Sequence, residues 1–419
     1  MKFVKDIEKY GLQTSLEMYC PGIFVTPHVL DSRKTNRVRV FFGTVAILCV
    51  SFINSFRKRK VLFNSYDVLV YVPNEKYTRF LTALADNAKY SYLVVSDSRL
   101  SIPSITLEDA ASFSRLGYFG GLFSSYFRLK RNTTSADNKR LLCKYYWNIM
   151  SVLRRDLLLE KMLSKISFKY FFSLQPIDSY HSVIHVAYKN NFQKTLAIRP
   201  TTTTRNKENS CYICDVLFYK TEEEFDIYKE ACNPAIQLVR GGLLYSTNIF
   251  RSHTRINNRC ICFDTCTSKD EKWNQSRLSF LYAFLEYANK NSINVFYKFH
   301  PGLLAEPRKK TEEKLSQYDN VVIIDNNVPW DEVDFSIGFS STIFFDSILH
   351  GIPVFDMGEM TYFFDKEHQV YCIKKVEELE ILNDFYKNRD AFVNDQYNWI
   401  CKKYNYPEGI SLINRMLEE

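Results

Sequence analysis

The sequence lacks the glycine-rich motifs by which many proteins bind phosphate. It has neither the G-x-x-x-x-G-K-[ST] of P-loop proteins nor the G-x-G-x-x-G of dinucleotide-binding enzymes. No acidic pair of the D-x-D type follows a predicted strand. These absences exclude the P-loop and dinucleotide-binding classes. We expect a protein with no bound cofactor and no essential divalent metal ion.

Metal-ligand spacing is also missing from the cysteines. The chain has 11 cysteines, and its one C-x-x-C pair, Cys211 and Cys214, has no second pair at a suitable distance. Cys260 and Cys262 alternate on a predicted strand, so their side chains share a face. We therefore expect neither a zinc site nor a disulfide framework. Many unpaired cysteines are typical of a reducing compartment such as the cytoplasm.

No apolar run in the N-terminal region is long enough to span a bilayer. The run from Val40 to Ile53 has 14 residues, against the roughly 20 that a membrane-spanning helix needs. Residues 1–60 hold 11 Lys and Arg against 4 Asp and Glu, which is +7 of the chain's net +8. Two interpretations stay open: a buried element of the first domain, or a segment that dips into a membrane surface with its basic ends on anionic lipid. This layout favours membrane over nucleic acid as a partner.

From residue 61 onward, predicted strands and helices alternate. Apolar runs such as Asp67 to Val72 are typical of strands buried on both faces, and the alternation predicts parallel βαβ units. The alternation of predicted strands and helices stops at Gly241 and Gly242 and then begins again. The sequence predicts an α/β protein of two Rossmann-like, doubly wound parallel-sheet domains, residues 61–242 and 243–419, after an N-terminal segment 1–60. The carboxyl ends of both sheets would face a central cleft.

Two stretches are less regular. Residues 97–135 are predicted to be irregular, and one long helix is predicted over about Asn138 to Lys165. The aromatic and glycine-rich Tyr118 to Phe127 would serve as core packing or as a surface for an apolar acceptor. The C-terminal helices, from about Val376, would complete the second domain or cross back to the first.

Polar residues end one predicted strand of the second domain. In "VFYKFHPG", Lys298 and His300 stand at the carboxyl end of the strand, and Pro301 restricts His300 to extended geometry. An imidazole with a near-neutral pKa suits proton transfer or donation to a phosphate. The alternative is a strand end that merely carries polar side chains.

A second polar stretch, "GFSSTIFFD", follows another strand of the same domain. Gly338 ends the strand, and Ser340, Ser341 and Thr342 precede a helix predicted over Ser341 to His350. Hydroxyl side chains cap such a helix, and its free N–H groups can bind an anion. The alternative is an ordinary helix cap. Because both stretches follow strands of one sheet, we expect them at the same edge.

Together, the "HP" and "SST" motifs resemble those of GT-B glycosyltransferases that use cytidine-activated donors. These include bacterial sialyltransferases, polysialyltransferases, Kdo transferases of capsule synthesis and glycerophosphotransferases of teichoic acid synthesis. The resemblance covers residues 259–360 and includes the "SSTIFFDSILHGIPVF" ending. It implies a GT-B fold in which His300 donates to the departing nucleotide phosphate and Ser340, Ser341 and Thr342 bind that phosphate. Lys298, Pro301 and Gly338 would complete the binding site.

The chain departs from this family at the catalytic base. The sialyltransferases carry an acidic pair followed by glycine, and no such triplet occurs here. Asp264 and Asp270, which follow the strand beginning at Arg259, are the candidates for the base. Asp178 and His181 occupy the corresponding turn of the first domain and are also typical of helix caps.

The sequence therefore predicts a metal-independent glycosyltransferase. We expect it to move a sugar from a nucleotide-activated donor, with a CMP-sugar such as CMP-sialic acid favoured, to a lipopolysaccharide or capsule glycan or glycolipid. It would act in the cytoplasm, peripherally on the inner face of the bacterial cytoplasmic membrane. The alternatives are a UDP- or GDP-sugar transferase, an epimerase of surface polysaccharide synthesis, and a scaffold of the assembly complex without catalytic activity.

Overall fold

The computed structural model describes residues 2–10, 12, 15, 19, 65–72, 89–97, 99–111, 115–133, 135–174, 192–198, 212–242, 256–265, 271–300, 303, 305–325, 328–358, 363–404 and 409–418. The chain divides into two compact units, Met1–Ser246 with Tyr404–Glu419, and Thr247–Lys403. The predicted run from Val40 to Ile53 lies outside the described residues, so both interpretations of it stay open. None of the helices in the described ranges is long and apolar enough to cross a membrane.

The first unit is built on a seven-stranded parallel sheet. Its strands are β1 (Ser65–Val72), β2 (Tyr92–Ser96), β3 (Ile105–Thr106), β4 (Ser167–Ser173), β5 (Lys194–Ile198), β6 (Val216–Tyr219) and β7 (Gln237–Arg240). The order in the sheet is β3-β2-β1-β4-β5-β6-β7. Residues Val68–Val72 of β1 are buried on both faces, as a central parallel strand requires.

Helices of the first unit pack on this sheet and on one another. They are α1 (Lys2–Tyr10), α2 (Leu107–Ala111), α3 (Arg115–Asn132), α4 (Ala136–Lys144), α5 (Tyr146–Leu163) and α6 (Glu222–Ala231). The core that α1, α3 and α5 share contains Phe3, Leu122, Ile149 and Leu153. The predicted helix from Asn138 to Lys165 is divided at Tyr145, which ends α4 and precedes α5.

The expectation of irregular structure over residues 97–135 is wrong. The glycine-rich stretch lies inside α3, an 18-residue helix. Gly121 lies against α5, where a Cβ atom would come within 3.2 Å of the Leu157 side chain. The glycine therefore permits close helix packing, and tertiary contact outweighs its weak helix propensity. Of the two interpretations of this stretch, core packing holds for the buried Leu122, whereas Phe127 is 61% exposed.

The second unit is built on a six-stranded parallel sheet. Its strands are β8 (Arg259–Phe263), β9 (Asn294–Lys298), β10 (Val321–Ile324), β11 (Phe335–Gly338), β12 (Val354–Met357) and β13 (Cys372–Ile373). The order is β10-β9-β8-β11-β12-β13. The helices are α7 (Glu271–Lys290), α8 (Ala305–Leu315), α9 (Ile343–Leu349) and α10 (Ile381–Lys403), with short 3-10 turns at Trp330–Glu332, Lys366–Tyr371 and Val376–Glu380.

The last helix, α11 (Gly409–Glu418), belongs to the first unit. Its Ile413, Met416 and Leu417 are buried. Lys194 Nζ donates to the Met416 carbonyl at 3.1 Å, and Tyr92 Oη donates to Asn414 Oδ1 at 3.3 Å. The predicted second domain, residues 243–419, therefore loses residues 404–419 to the first unit. The two units divide between Ser246 and Thr247, and the predicted boundary follows Gly242.

The predicted fold class is confirmed. Both units contain a doubly wound parallel sheet, and every strand pair in the described ranges is parallel. Each strand order reverses direction once, between β1 and β4 in the first unit and between β8 and β11 in the second. Crevices outside the carboxyl ends of strands at such reversal points are the usual ligand sites of open α/β sheets.

Candidate functional site

The reversal point of the second unit lies between β8 and β11. Gly338 pairs with Phe263 across these strands. A Cβ atom on residue 338 would lie 2.4 Å from the Phe263 carbonyl oxygen, a contact that side-chain carbons do not tolerate. The structure thus requires glycine at the predicted site residue Gly338, because only a residue without a Cβ atom lets the two central strands end side by side where their loops diverge.

Lys298 and His300 lie at the carboxyl end of β9, next to β8 in the sheet. Lys298 Nζ donates to the carbonyl of Asp325 at the end of the neighbouring β10, and burial lowers the pKa of Lys298. His300 is half-buried, and its carbonyl accepts from Leu303 N at 3.0 Å in a turn. Pro301 lies outside the described residues. The structure thus places a cation and an imidazole at the edge predicted from the sequence.

The predicted serine motif lies at the same edge, in the loop after β11. Ser340 has a φ of +25°, in the left-handed region that side chains other than glycine rarely adopt. Its N–H donates to Asp356 Oδ1 and its hydroxyl to Asp356 Oδ2, each at 2.7 Å. The Ser340 hydroxyl thus donates to a protein carboxylate in this structure.

The helix after this loop is shorter than the sequence suggests. It is predicted from Ser341 but begins at Ile343, and its N-cap Thr342 makes no side-chain capping bond. Ile343 N lies 3.5 Å from Ser341 Oγ, at the limit of a hydrogen bond. The expected hydroxyl capping is therefore limited to this one long contact, and the N-cap Thr342 does not contribute. Ser341 and Thr342 are half-buried, and N–H groups at the start of a helix have no intrahelical acceptor. Gly351, at φ +73°, follows the C-cap His350, at a position where helices favour glycine.

Asp264, one candidate base, is held in a buried ion pair. It follows β8, and its Oδ1 accepts from Thr265 N at 2.8 Å and from Arg277 of α7. Both side chains are almost fully buried. The hydroxyl of Tyr297 on β9 is nearby, and burial, with the charge of Asp264, raises the pKa of that tyrosine. The Arg277 guanidinium thus holds the Asp264 carboxylate in place. The other candidate, Asp270, lies outside the described residues, as do Asp178 and His181.

The ion pair itself contains buried polar atoms without partners. Among the described residues, neither Asp264 Oδ2 nor Arg277 Nε has a hydrogen-bond partner. Unpaired buried polar groups are costly and are often found at functional sites or at ordered water. The region beside β8 is thus polar as well as buried, at the point where the strand order reverses.

Sequence analysis missed two residues of this region, Asp356 and Arg277. Asp356 is the one acid in the buried strand β12, "VFDM", and an acid among apolar strand residues could have flagged it. Arg277 carries no such signal, because arginine is common on helix surfaces. Of the predicted residues, the carboxyl edge of one sheet brings together Lys298, His300, Gly338, Ser340, Ser341, Thr342 and Asp264. Within the described ranges, no three His, Cys, Asp or Glu side chains group as a metal site would require.

No protein-family model and no curated protein sequence matches the chain. Solved structures resemble it in fold. The UDP-GlcNAc 2-epimerase of Methanocaldococcus jannaschii has a TM-score of 0.52 and 12% identity, covering 85% of this chain and 100% of that one. The Neisseria meningitidis UDP-GlcNAc 2-epimerase bound to UDP-GlcNAc has a TM-score of 0.52 and 11% identity, covering 84% and 100%. A putative UDP-N-acetylglucosamine 2-epimerase of Listeria monocytogenes has a TM-score of 0.54 and 11% identity, covering 85% and 95%.

These similarities confirm the GT-B-type fold, with one parallel sheet in each domain. At 11% to 12% identity they show the fold alone. They do not show the resemblance to sialyltransferases that the motifs suggest, so that finer resemblance stays a prediction.

Proposed function

We propose that this chain is a nucleotide-sugar enzyme of surface polysaccharide synthesis. Its second unit would bind the phosphate groups of the donor at the carboxyl edge of the sheet, beside the reversal point between β8 and β11. The observation that carries this proposal is the convergence of two motifs on that edge. Lys298 and His300 follow β9, and the Ser340–Thr342 loop follows β11.

The chemistry of this edge suits an anion. Burial lowers the pKa of Lys298, so its ammonium bears a desolvation cost that a bound phosphate would offset. His300 can donate a hydrogen bond or a proton. The side chains and N–H groups of Ser341 and Thr342 supply neutral donors of the kind that phosphate oxygens accept.

A UDP-sugar is our first candidate for the donor. The three structures named above are described as UDP-GlcNAc 2-epimerases, one of them with UDP-GlcNAc bound, and each match covers at least 84% of this chain. The corresponding activity is inversion at carbon 2 of the sugar. Such an inversion breaks a C–H bond and needs groups that remove and return a proton. His300, Asp264 and Asp270 are the candidates, with Asp264 more suited to orientation because Arg277 holds it.

The second candidate is a glycosyltransferase with a CMP-sugar donor, such as CMP-sialic acid. The "HP" and "SST" motifs favour it, because both follow strands of the same sheet. His300 would donate a proton to the phosphate that leaves the sugar, and Asp270 would remove a proton from an acceptor hydroxyl. The acceptor would be a glycan or glycolipid of the bacterial surface.

One assay separates these candidates. The full chain is incubated in D2O with UDP-GlcNAc, with a GDP-sugar, and with CMP-sialic acid plus a lipopolysaccharide or capsule acceptor, and the products are followed by NMR. Deuterium at carbon 2 of the UDP-sugar supports the epimerase. Release of CMP that depends on the acceptor supports the transferase. If no donor is changed and no nucleotide binds, the enzyme proposal fails and the scaffold alternative is favoured.

A further inference from the structure

Asp356 stands out among the buried acids of the second unit. It lies on β12, next to β11, and is fully buried. Besides the two bonds from Ser340, its Oδ2 accepts from Phe363 N at 3.3 Å. One carboxylate therefore connects the loop after β11 to the chain that follows β12.

Ser340 needs such a connection because its backbone is strained. A serine at φ +25° is stable only where its surroundings hold it there. The surroundings are two charge-assisted hydrogen bonds of 2.7 Å, one from its N–H and one from its hydroxyl. Bonds of this type are among the stronger ones in proteins. Asp356 thus determines the direction in which the chain leaves β11.

We propose that Asp356 is a positioning residue, which holds Ser340 so that Ser341 and Thr342 present their donors to a phosphate group of the ligand. This inference rests on the proposed function. It divides the serine motif into two roles. Ser340 is the anchor, with its hydroxyl bound to Asp356, and Ser341 and Thr342 are the residues that contact phosphate.

Asp334 offers a matched control. It is also buried, immediately before β11, and accepts N–H groups of Asn257 and Arg259 at 3.0 Å each. It therefore resembles Asp356 in burial and in its backbone partners. It lies at the amino edge of the same sheet, away from the proposed phosphate site.

The first test compares the affinity of the full chain for UDP in the wild type, Asp356→Asn and Asp334→Asn. We expect Asp356→Asn to weaken binding at least tenfold and Asp334→Asn to change it less than threefold. Adding Ser340→Gly to Asp356→Asn should restore part of the affinity, because glycine adopts positive φ without strain. Ser340→Ala, which leaves the buried carboxylate in place, should also weaken binding. Equal affinities for the wild type, Asp356→Asn and Ser340→Ala would overturn the inference.

A second readout does not depend on the ligand. Hydrogen exchange of peptides spanning residues 339–342 should be at least tenfold faster in Asp356→Asn than in the wild type, and unchanged in Asp334→Asn. Unchanged exchange in Asp356→Asn would overturn the positioning role. If the wild type binds no nucleotide but exchange at the loop responds as expected, the proposed function fails while the anchoring of Ser340 by Asp356 stands.

Discussion

At the scale of single residues, Asp356 has the clearest energetic signature. Burial raises its pKa from 3.8 to about 6, although hydrogen bonds from Ser340, Phe363 and Met357 partly offset the shift. The two pKa units correspond to about 3 kcal/mol of differential stability between the protonated and ionised forms. An ionised Asp356 is therefore a cost to the folded state at neutral pH, which is common for residues retained for function.

The sign of the pH dependence follows from this shift. Since the folded-state pKa is higher than the unfolded-state pKa, the contribution of Asp356 to stability is complete below about pH 4 and is lost as the pH rises through about 6. Asparagine at this position does not titrate. We expect the free energy of unfolding of the wild type, relative to Asp356→Asn, to fall by about 2.5 kcal/mol between pH 4 and pH 7.

Denaturant unfolding of both proteins at pH 4, 5, 6 and 7 measures this difference. Asp365 titrates in the opposite sense: burial opposes the shift, but hydrogen bonds from Trp399 and His368 and the charge of Lys403 lower its pKa to about 2. Its contribution is lost as the pH falls below about 4 and is common to both proteins, so it cancels in the comparison. Parallel stability curves for the two proteins would contradict the account of Asp356.

His300 is the residue on which the proposed chemistry depends most. His300→Ala should lower turnover at least about 100-fold, because a positioned acid or base contributes about that much or more. The midpoint of thermal unfolding should change little, since the side chain is half-buried. His350→Ala is the control. The His350 ring stacks on the Trp330 ring with their centroids 4.8 Å apart, so this substitution should lower stability more than turnover. Unchanged turnover in His300→Ala would remove the histidine from the mechanism.

Much of the candidate site could be predicted from the sequence. The sequence predicts that Lys298, His300 and Gly338 lie at strand ends, because apolar runs identify the strands and because proline and glycine mark where the strands stop. The roles of Ser340 and Asp264 could not be predicted. Each depends on a partner distant in sequence, Asp356 and Arg277 respectively. Ion pairs and hydrogen bonds of this kind have no local sequence pattern.

At the scale of elements, the sequence predicts best where local signals agree. The apolar run predicted as a strand, Asp67 to Val72, lies within β1 (Ser65–Val72), and the strand predicted to begin at Arg259 is β8 (Arg259–Phe263). Thr221 caps α6 by accepting from Glu224 N at 3.3 Å, and three acids fill its first turn. The helix α3 could not be predicted, because its glycines lower helix propensity and its stability depends on packing against α5.

Adjacent glycines in α3 allow a direct test of this explanation. A Cβ atom at Gly120 would meet nothing within 4 Å, whereas one at Gly121 would lie 3.2 Å from Leu157. Gly120→Ala should stabilise the protein by about 0.5 to 1 kcal/mol, the helix-propensity gain. Gly121→Ala should be less stable than Gly120→Ala by about 1 kcal/mol, because overpacking offsets that gain. Denaturant unfolding measures both, and equal stabilisation would show that α3 does not pack on α5 through this glycine.

At the scale of the whole molecule, the chain contains the same sheet plan twice. Each unit has a parallel sheet with one reversal of strand order, and only the second combines that point with both sequence motifs. The sequence left two alternatives for the C-terminal helices, which could complete the second domain or cross back to the first. The structure assigns α11 to the first unit. The sequence could not decide between them, because an amphipathic helix does not indicate which sheet it covers. Both units thus share the doubly wound sheet. The residues on which the proposed enzyme function rests lie in the loops at the carboxyl edge of the second sheet.

The central claim is that this edge binds the phosphate groups of a nucleotide. Calorimetric titration of the full chain with UDP, UMP, uridine, CMP and GDP tests it most directly, in the wild type and in Lys298→Ala. The account predicts that UDP binds more tightly than UMP, that uridine binds weakly or not at all, and that Lys298→Ala weakens UDP binding at least tenfold. No binding of any nucleotide, or UDP affinity unchanged in Lys298→Ala, would contradict it.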